Sequence, residues 1–364
     1  MASLRIVLAG LGVRGRHWAE ALVRSARCEI AAYADPNPAA RERAAAQFGD
    51  RPVFASAEDA LAALPDADAL ILANPPYGRE SQVRAAAARG LPMLIEKPLA
   101  VDMREAAQLV ALAEEAGAPL MVGLNFRYLA VTRAAMDLIQ RGTVGQPEFA
   151  RFTYERYRDG HRPDLNKYPL TMEHPMLWEQ SIHHFDLMRF VYGQEPVTAR
   201  CQTWNPSWSR YAHDTNVAAL FTFDGGMVVN YQGTWQGNWN TPQFEWRTDC
   251  DQGIISQRDQ FGDLRYARRD DPALTQVDLP PHETWITETM ALLDAFVESV
   301  VDGAPLPCSG RDHLRSLAMV EACIRSSREG RAIAVADLLA GAFAASRVEQ
   351  EGSDRPKEVE PGAL

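Results

Sequence analysis

The sequence predicts an α/β protein: an N-terminal doubly wound parallel sheet, followed by an α+β portion with a large open, mainly antiparallel sheet. Three observations predict it. Short apolar runs alternate with helical stretches as far as residue 123. A glycine-rich turn, Gly10-Leu11-Gly12-Val13-Arg14-Gly15, follows the first of those runs. From about residue 145 the pattern changes to longer strand-like segments separated by turns such as Asp224-Gly225-Gly226. A chain of 364 residues is expected to divide into two domains. The change of pattern puts them at 1–124 and 125–347, with a polar tail over 348–364 whose composition predicts disorder.

The elements follow in order. The apolar run 4–9 suits a buried parallel strand. Residues 10–15 turn the chain into a helix over 16–26. A strand over 29–34 ends at Asp35-Pro36, because proline cannot continue a central strand. A helix over 38–48, a short strand at Val53-Phe54, a helix near 57–63 and a strand over 69–73 come next. A helix over 78–89 leads to a strand over 92–95, and a helix over 102–116 to a strand over 120–123. In the second portion, 146–157, 196–204, 215–223, 226–235, 243–248 and 252–257 read as strands. A helix near 177–192 interrupts them, and helices near 283–302 and 310–329 close the chain.

Composition excludes some partners. A formal charge of −11 argues against nucleic acid, which needs a basic face. An anionic substrate remains compatible, because one local arginine cluster would serve it. The five cysteines are scattered and lack CxxC spacing, as expected for reduced thiols of a cytoplasmic protein. No signal peptide is expected before the first strand, no apolar run reaches membrane-spanning length, and no internal repeat is found.

Gly10, Gly12 and Gly15 fit the dinucleotide pattern G-x-G-x-x-G of a Rossmann domain. The first allows a tight turn, the second clears space for pyrophosphate, and the third lets helix and strand approach. The helix N-terminus then offers unpaired N–H groups to phosphate. Asp35, roughly 20 residues on, suits the adenosine ribose hydroxyls. Its charge would repel a 2′-phosphate, so NAD is favoured over NADP, although Arg41 and Arg43 soften that preference. Asp35 also suits a structural cap of the next helix. Val13, Arg14, Asn74, Glu96 and Lys97 complete the expected cofactor-binding set.

At Glu96-Lys97-Pro98 the chain resembles the glucose–fructose oxidoreductase, inositol dehydrogenase and rhizopine-catabolism family (Gfo/Idh/MocA). The resemblance spans residues 4–335. It includes the glycine cradle, Gly123-Leu124-Asn125-Phe126-Arg127-Tyr128, Gly142-Thr143-Val144-Gly145, the helix with His183 and Asp186, and Ser309-Gly310-Arg311-Asp312. It implies a nicotinamide-dependent dehydrogenase acting on a secondary alcohol of a sugar, polyol or inositol. Lys97 would face nicotinamide and substrate, and the Lys97–Pro98 bond is a candidate for cis. His183 would be the acid/base. A redox-neutral glycosidase or lyase and a non-catalytic sensor are the rival readings.

The resemblance also implies a role for Glu179, where inositol dehydrogenases often carry aspartate. On a helix Glu179, His183 and Asp186 share one face, spaced by four and three. Lys97 argues against a metal there, since a cation would compete. His184 points about 100° away, which favours a structural role. It stands with Asn125, Arg127, Tyr128 and Tyr168 among the substrate candidates. The long loop 158–177 is expected to shape specificity. The late tryptophans suit sheet packing and a subunit interface. The resemblance implies a homodimer or homotetramer through the large sheet.

Overall fold

The computed structural model describes residues 3–239 and 242–342; the expected tail 348–364 lies outside them. Alternation in the first part produces β1 (Leu4–Ala9), α1 (Val13–Arg24), β2 (Cys28–Ala34), α2 (Pro38–Phe48), β3 (Val53–Phe54) and α3 (Ala57–Ala63). It continues with β4 (Ala69–Leu72), α4 (Glu80–Ala87), β5 (Met93–Ile95), α5 (Met103–Glu115) and β6 (Leu120–Val122). These strands form one parallel six-stranded sheet in the order β3-β2-β1-β4-β5-β6. Strand order reverses between β2-β1 and β4, and such a sheet binds ligands in the crevice beyond that switch point. The apolar runs are continuous because both faces are covered: β4 and β5 are buried at every residue.

A 3₁₀ turn (Asn125–Tyr128) and α6 (Ala130–Gln140) lead to β7 (Pro147–Glu155). A π-helical turn (Met176–Ser181) then runs into α7 (Ile182–Tyr192). The strands β8 (Pro196–Trp204), β9 (Asn216–Phe223), β10 (Val228–Thr234), β11 (Gln243–Cys250), β12 (Gly253–Asp259), β13 (Gly262–Arg268) and β14 (Thr275–Gln276) follow. The described chain closes with α8 (Thr287–Val301), α9 (Gly310–Glu329) and β15 (Ile333–Ala334).

The second sheet has nine strands in the order β14-β13-β12-β11-β7-β10-β9-β8-β15. It is antiparallel except where β7 lies beside β10, which is parallel. That exception has a topological cause. β7 is the first strand laid down and sits in the centre, and the later strands are added on both sides of it. Alternation decides the faces: Ala150, Phe152 and Tyr154 of β7 and Val229 and Tyr231 of β10 are buried, while Phe149, Arg151 and Asn230 are exposed. The helices α7 and α9 cover the inner face.

The helix α6 and the strands β13, β14 and β15 are additions to the elements read from periodicity. The helix expected near 177–192 is also altered, because its first turn is π rather than α. Among the described residues, no helix is long and apolar enough to cross a membrane.

Candidate functional site

A cleft of about 590 Å³ opens at the carboxyl ends of β1, β2, β4 and β5. Gly10, Gly12, Val13, Arg14, Asp35, Asn74, Glu96 and Lys97 all line it. The glycines have separate reasons. Gly10 has φ +87, and a Cβ there would stand 2.4 Å from the Asn74 nitrogen. A Cβ on Gly15 would lie 1.9 Å from the Gly10 carbonyl oxygen, so helix and strand meet there. At Gly12 the nearest atom to a Cβ would be Asn166 Oδ1 at 3.8 Å. Gly12 therefore keeps space open rather than relieving a clash. It is the N-cap of α1 without a side-chain cap, and the first turn of α1 has no acidic residue. Free N–H groups and an open approach fit a pyrophosphate.

Asp35 ends β2 and holds the glycine turn: its Oδ2 accepts from the Leu11 N–H at 2.7 Å and its Oδ1 from the Asn37 N–H at 2.8 Å. The cap of α2 is Asn37, whose side chain accepts from Ala39 N. Glu96 accepts at one oxygen from Arg14 Nε (2.7 Å) and Trp18 Nε1 (2.8 Å). Arg14 also reaches Thr289 of α8 at 3.2 Å.

Lys97 stands at the inner end of the cleft, after β5, and its bond to Pro98 is cis. Its Nζ donates to the Glu179 carbonyl oxygen at 2.9 Å and to Glu179 Oε2 at 3.2 Å. The Tyr168 hydroxyl donates to the other carboxylate oxygen at 2.9 Å. The turn that carries Glu179 is π-helical, a form frequent at functional sites. Tyr168 and Asn166 come from the long loop 158–177, and both line the cleft. Burial first, then the Glu179 carboxylate, holds the Tyr168 phenol well above its ordinary range.

His183 lies 6 % exposed on α7, its ring stacked on Phe126 at 4.1 Å. Its Nδ1 is enclosed without a partner. Burial, reinforced by the nearby Lys97 charge, pushes it well below the ordinary histidine value, so the ring is neutral near pH 7. Lys97 and Glu179, far apart in sequence, meet at one end of the cleft; His183, four residues after Glu179, does not line it but lies near enough for the Lys97 charge to act on its ring.

Other expected site residues are engaged elsewhere. Arg127 forms a buried fork on Asp186 (Nε to Oδ2 2.7 Å) and also binds Asp312 at 2.7 Å. The single 3₁₀ turn it sits on aims it at α7 and α9, not at the cleft. Asp186 is thereby separated in role from Glu179 and His183. Tyr128 packs under Arg133, 4.7 Å from its ring centroid. Asn125 donates to the buried Glu288 at 3.3 Å. His184 lies between Gln180 (3.1 Å) and the Tyr231 hydroxyl (2.9 Å), and burial lowers it to about 3. Of the five substrate candidates, Tyr168 alone lines the cleft.

Sequence reasoning passes over Arg79. It is 1 % exposed, and its guanidinium donates to the carbonyls of Glu96 (2.7 Å), Pro98 (2.7 Å), Leu99 (3.0 Å) and Asn74. It thus ties together the two loops after β4 and β5 that line the cleft. His313 of α9 adds a brace, with Nε2 accepting from Leu99 N–H at 3.3 Å. The only signal in the sequence is an arginine just after a Pro-Pro-Tyr-Gly turn.

Three family profiles match the chain. "Oxidoreductase family, NAD-binding Rossmann fold" matches residues 4–124, a "GFO/IDH/MocA C-terminal domain" 132–256, and an "Oxidoreductase family, C-terminal alpha/beta domain" 262–335. A D-apiose dehydrogenase of Paraburkholderia graminis is 28 % identical over 86 % of this chain and 85 % of its own. An inositol 2-dehydrogenase of Rhizobium meliloti is 26 % identical over 92 % of this chain and 100 % of its own. Among solved structures, an oxidoreductase from Agrobacterium radiobacter in complex with NAD+, L-tartaric acid and magnesium superposes with a TM-score of 0.84. It covers 93 % of this chain and 100 % of its own at 23 % identity, a likeness of fold alone.

Proposed function

Since the chain belongs to the Gfo/Idh/MocA family of NAD-binding oxidoreductases, we propose that it is a dehydrogenase of a secondary alcohol of a sugar, polyol or cyclitol. The pairing of Lys97 with Glu179 in the cofactor cleft, with the neutral His183 ring close to Lys97, carries this reading. The curated relatives named as apiose and inositol dehydrogenases support the substrate class.

Gly10, Gly12, Val13 and Arg14 hold the dinucleotide's phosphates, and Asp35 its adenosine ribose. The acidic Asp35 and Glu58 on the cleft wall favour NAD over NADP. Bound nicotinamide supplies the hydride acceptor, or the donor in reverse. Lys97 exchanges its bond to Glu179 for a hydrogen bond to the carbinol oxygen. The neutral His183 ring takes the hydroxyl proton at Nε2, since its Nδ1 side is enclosed. Glu179, released from Lys97, accepts from a neighbouring substrate hydroxyl. Tyr168 keeps the Glu179 carboxylate oriented and, with Asn166, brings the 158–177 loop over the cleft.

We assign residues 1–124 to cofactor binding and 125–347 to substrate binding and self-association. The outer face of the large sheet exposes Phe149 (56 %) and Leu220 (45 %), which suits a homodimer or homotetramer. A cytoplasmic location accords with the scattered free cysteines.

The test is NADH formation, followed by absorbance, with NAD and a panel of sugars, sugar acids and inositols. A substrate-dependent signal that disappears in His183→Ala supports the reading. Tightly retained cofactor with no net NADH across the panel, while a glycoside or other leaving group is cleaved, would replace it with a redox-neutral activity.

A further inference from the structure

We propose that the substrate carries an oxyanion, a carboxylate or a phosphate, and that Arg156 and Arg158 bind it. The inference rests on the dehydrogenase reading and narrows its substrate class.

Both arginines follow directly on β7. Arg156 N–H donates to Thr234 O at 3.0 Å and Arg158 N–H to Trp235 O at 2.7 Å, so the chain stays beside the end of β10 past Glu155, although the regular ladder stops there. Alternate residues of an extended chain share a face. Phe152 and Tyr154 therefore face inward, and Arg156 on the Tyr154 hydroxyl and Arg158 over the buried Trp235 ring turn toward the same buried aromatics. The rings of Phe152 and Tyr154 lie 4.6 and 4.9 Å from His184, the neighbour of His183. The Tyr154 hydroxyl donates to Gln180 Oε1 at 3.3 Å, and Gln180 follows Glu179, the partner of Lys97. The Arg158 charge also acts on the Tyr168 phenol. One tyrosine thus connects Arg156 to Gln180, and another, Tyr168, stands between Arg158 and Glu179. Neither lines the cofactor cleft, so neither is placed to hold the dinucleotide.

Their bonding sets them apart from the other inward arginines. Arg127 and Arg189 are paired with carboxylates, Arg79 is held by four carbonyls, and Arg14, in the cofactor cleft, is paired with Glu96 and reaches Thr289. Among the described residues, Arg156 and Arg158 have no carboxylate partner. Arg156 donates to the Tyr154 hydroxyl at 2.9 Å. Arg158 lies 4.1 Å over the centroid of the fully buried Trp235, and its Nε is enclosed without a partner. Each is held in place by an aromatic side chain and keeps donors free. A guanidinium fixed in this way is already organised for a bidentate oxyanion.

The surrounding charges do not cancel them. Lys97 and Glu179 neutralise each other, His183 and His184 are neutral through burial, and Asp159 is bound by Arg210 at 3.2 Å. Lys167 turns its ammonium onto the carbonyls of Gly160 and Arg162. Two uncompensated positive charges therefore face the substrate side of a chain whose net charge is −11. A neutral sugar would leave both half-buried and unpaired, and an anionic one would pair them.

The experiment compares D-glucuronate, D-glucose 6-phosphate and D-glucose, with the galacto counterparts, in two readouts. One is kcat/KM for NADH formation. The other is calorimetric titration of each compound into the NAD-loaded protein. We expect the carboxylate or phosphate member to exceed its neutral counterpart by about 10-fold or more. In Arg156→Gln and Arg158→Gln that ratio should fall by roughly 10- to 100-fold, mainly through KM or Kd, and Arg158→Lys should restore part of it. Whether carboxylate or phosphate wins identifies the oxyanion. Equal use of neutral and anionic members, a ratio unchanged in both glutamine variants, or binding of no anion overturns the proposal. Arginine-dependent anion binding without any NADH would instead keep the proposal and remove the dehydrogenase reading.

Discussion

Lys97 makes two bonds to one residue, Glu179, and each is of a kind a substrate can replace. The ammonium meets a carboxylate oxygen at 3.2 Å and a carbonyl at 2.9 Å, geometry that a carbinol oxygen and a bound hydroxyl would also satisfy. Lys97→Ala should therefore retain NAD binding, measured by titration of intrinsic tryptophan fluorescence, while turnover falls by about 10²- to 10⁴-fold. Full turnover in that variant would remove Lys97 from the chemistry. His183 makes a separate prediction. Its folded value lies well below 6.5, so the neutral, proton-accepting form persists as pH falls past the ordinary histidine range. A plot of kcat/KM for alcohol oxidation against pH should lose activity only at an acid limb well below 6.5. A limb at 6.5 or above would mean that another group supplies the base.

At the scale of elements, the site depends on how strand ends are joined. Gly12 can be tested apart from folding, because a side chain there meets nothing closer than 3.8 Å. Gly12→Val should leave the thermal midpoint of the free protein nearly unchanged and abolish the upward shift that NAD produces. A large loss of stability without NAD would show that Gly12 serves packing instead. Arg79 is the opposite case. Replacing it with methionine leaves four buried carbonyls without their donor, a cost of at least about 2–3 kcal/mol. Urea denaturation of Arg79→Met should show this loss, and Arg79→Lys should recover only part of it, since one ammonium cannot copy the planar fork. An unchanged midpoint in Arg79→Met would mean the loops after β4 and β5 hold each other without it.

At the scale of the molecule, the six-stranded sheet is covered on both faces and the nine-stranded sheet on one. Phe149 and Leu220 stand on the uncovered face, near Arg151 and Arg200. If that face joins copies of the chain, Phe149→Glu with Leu220→Glu should lower the mass found by light scattering to that of one chain while helix content is kept. A wild-type protein that already runs as a monomer would place no partner copy there. The two parts of the fold also meet at the Lys97–Glu179 pair. Lys97 comes from the loop after β5, whereas Glu179 and His183 come from the turn and helix over the second sheet, so the proposed chemistry draws on both parts of the fold.

What the sequence determined by itself is local and periodic. Gly10-x-Gly12-x-x-Gly15 follows an apolar run and Asp35 ends the next one; the turn and the helix start depend on residues close in the chain. The same holds for Lys97 at the end of a buried strand, and for the parallel-then-antiparallel division of the fold. Tertiary structure decided the rest. Arg127 looks like a ligand residue beside the last parallel strand, yet Asp186 and Asp312 claim it from 59 and 185 positions away. Glu179, His183 and Asp186 have the spacing of one helical face, but the π turn and three separate partners divide them. Arg79 gives no periodic signal, and the parallel β7–β10 contact joins strands separated by a π turn, a helix and two other strands. Periodicity reports which side of an element is apolar. Which distant charge, ring or carbonyl a polar side chain meets is set only when the two sheets are packed.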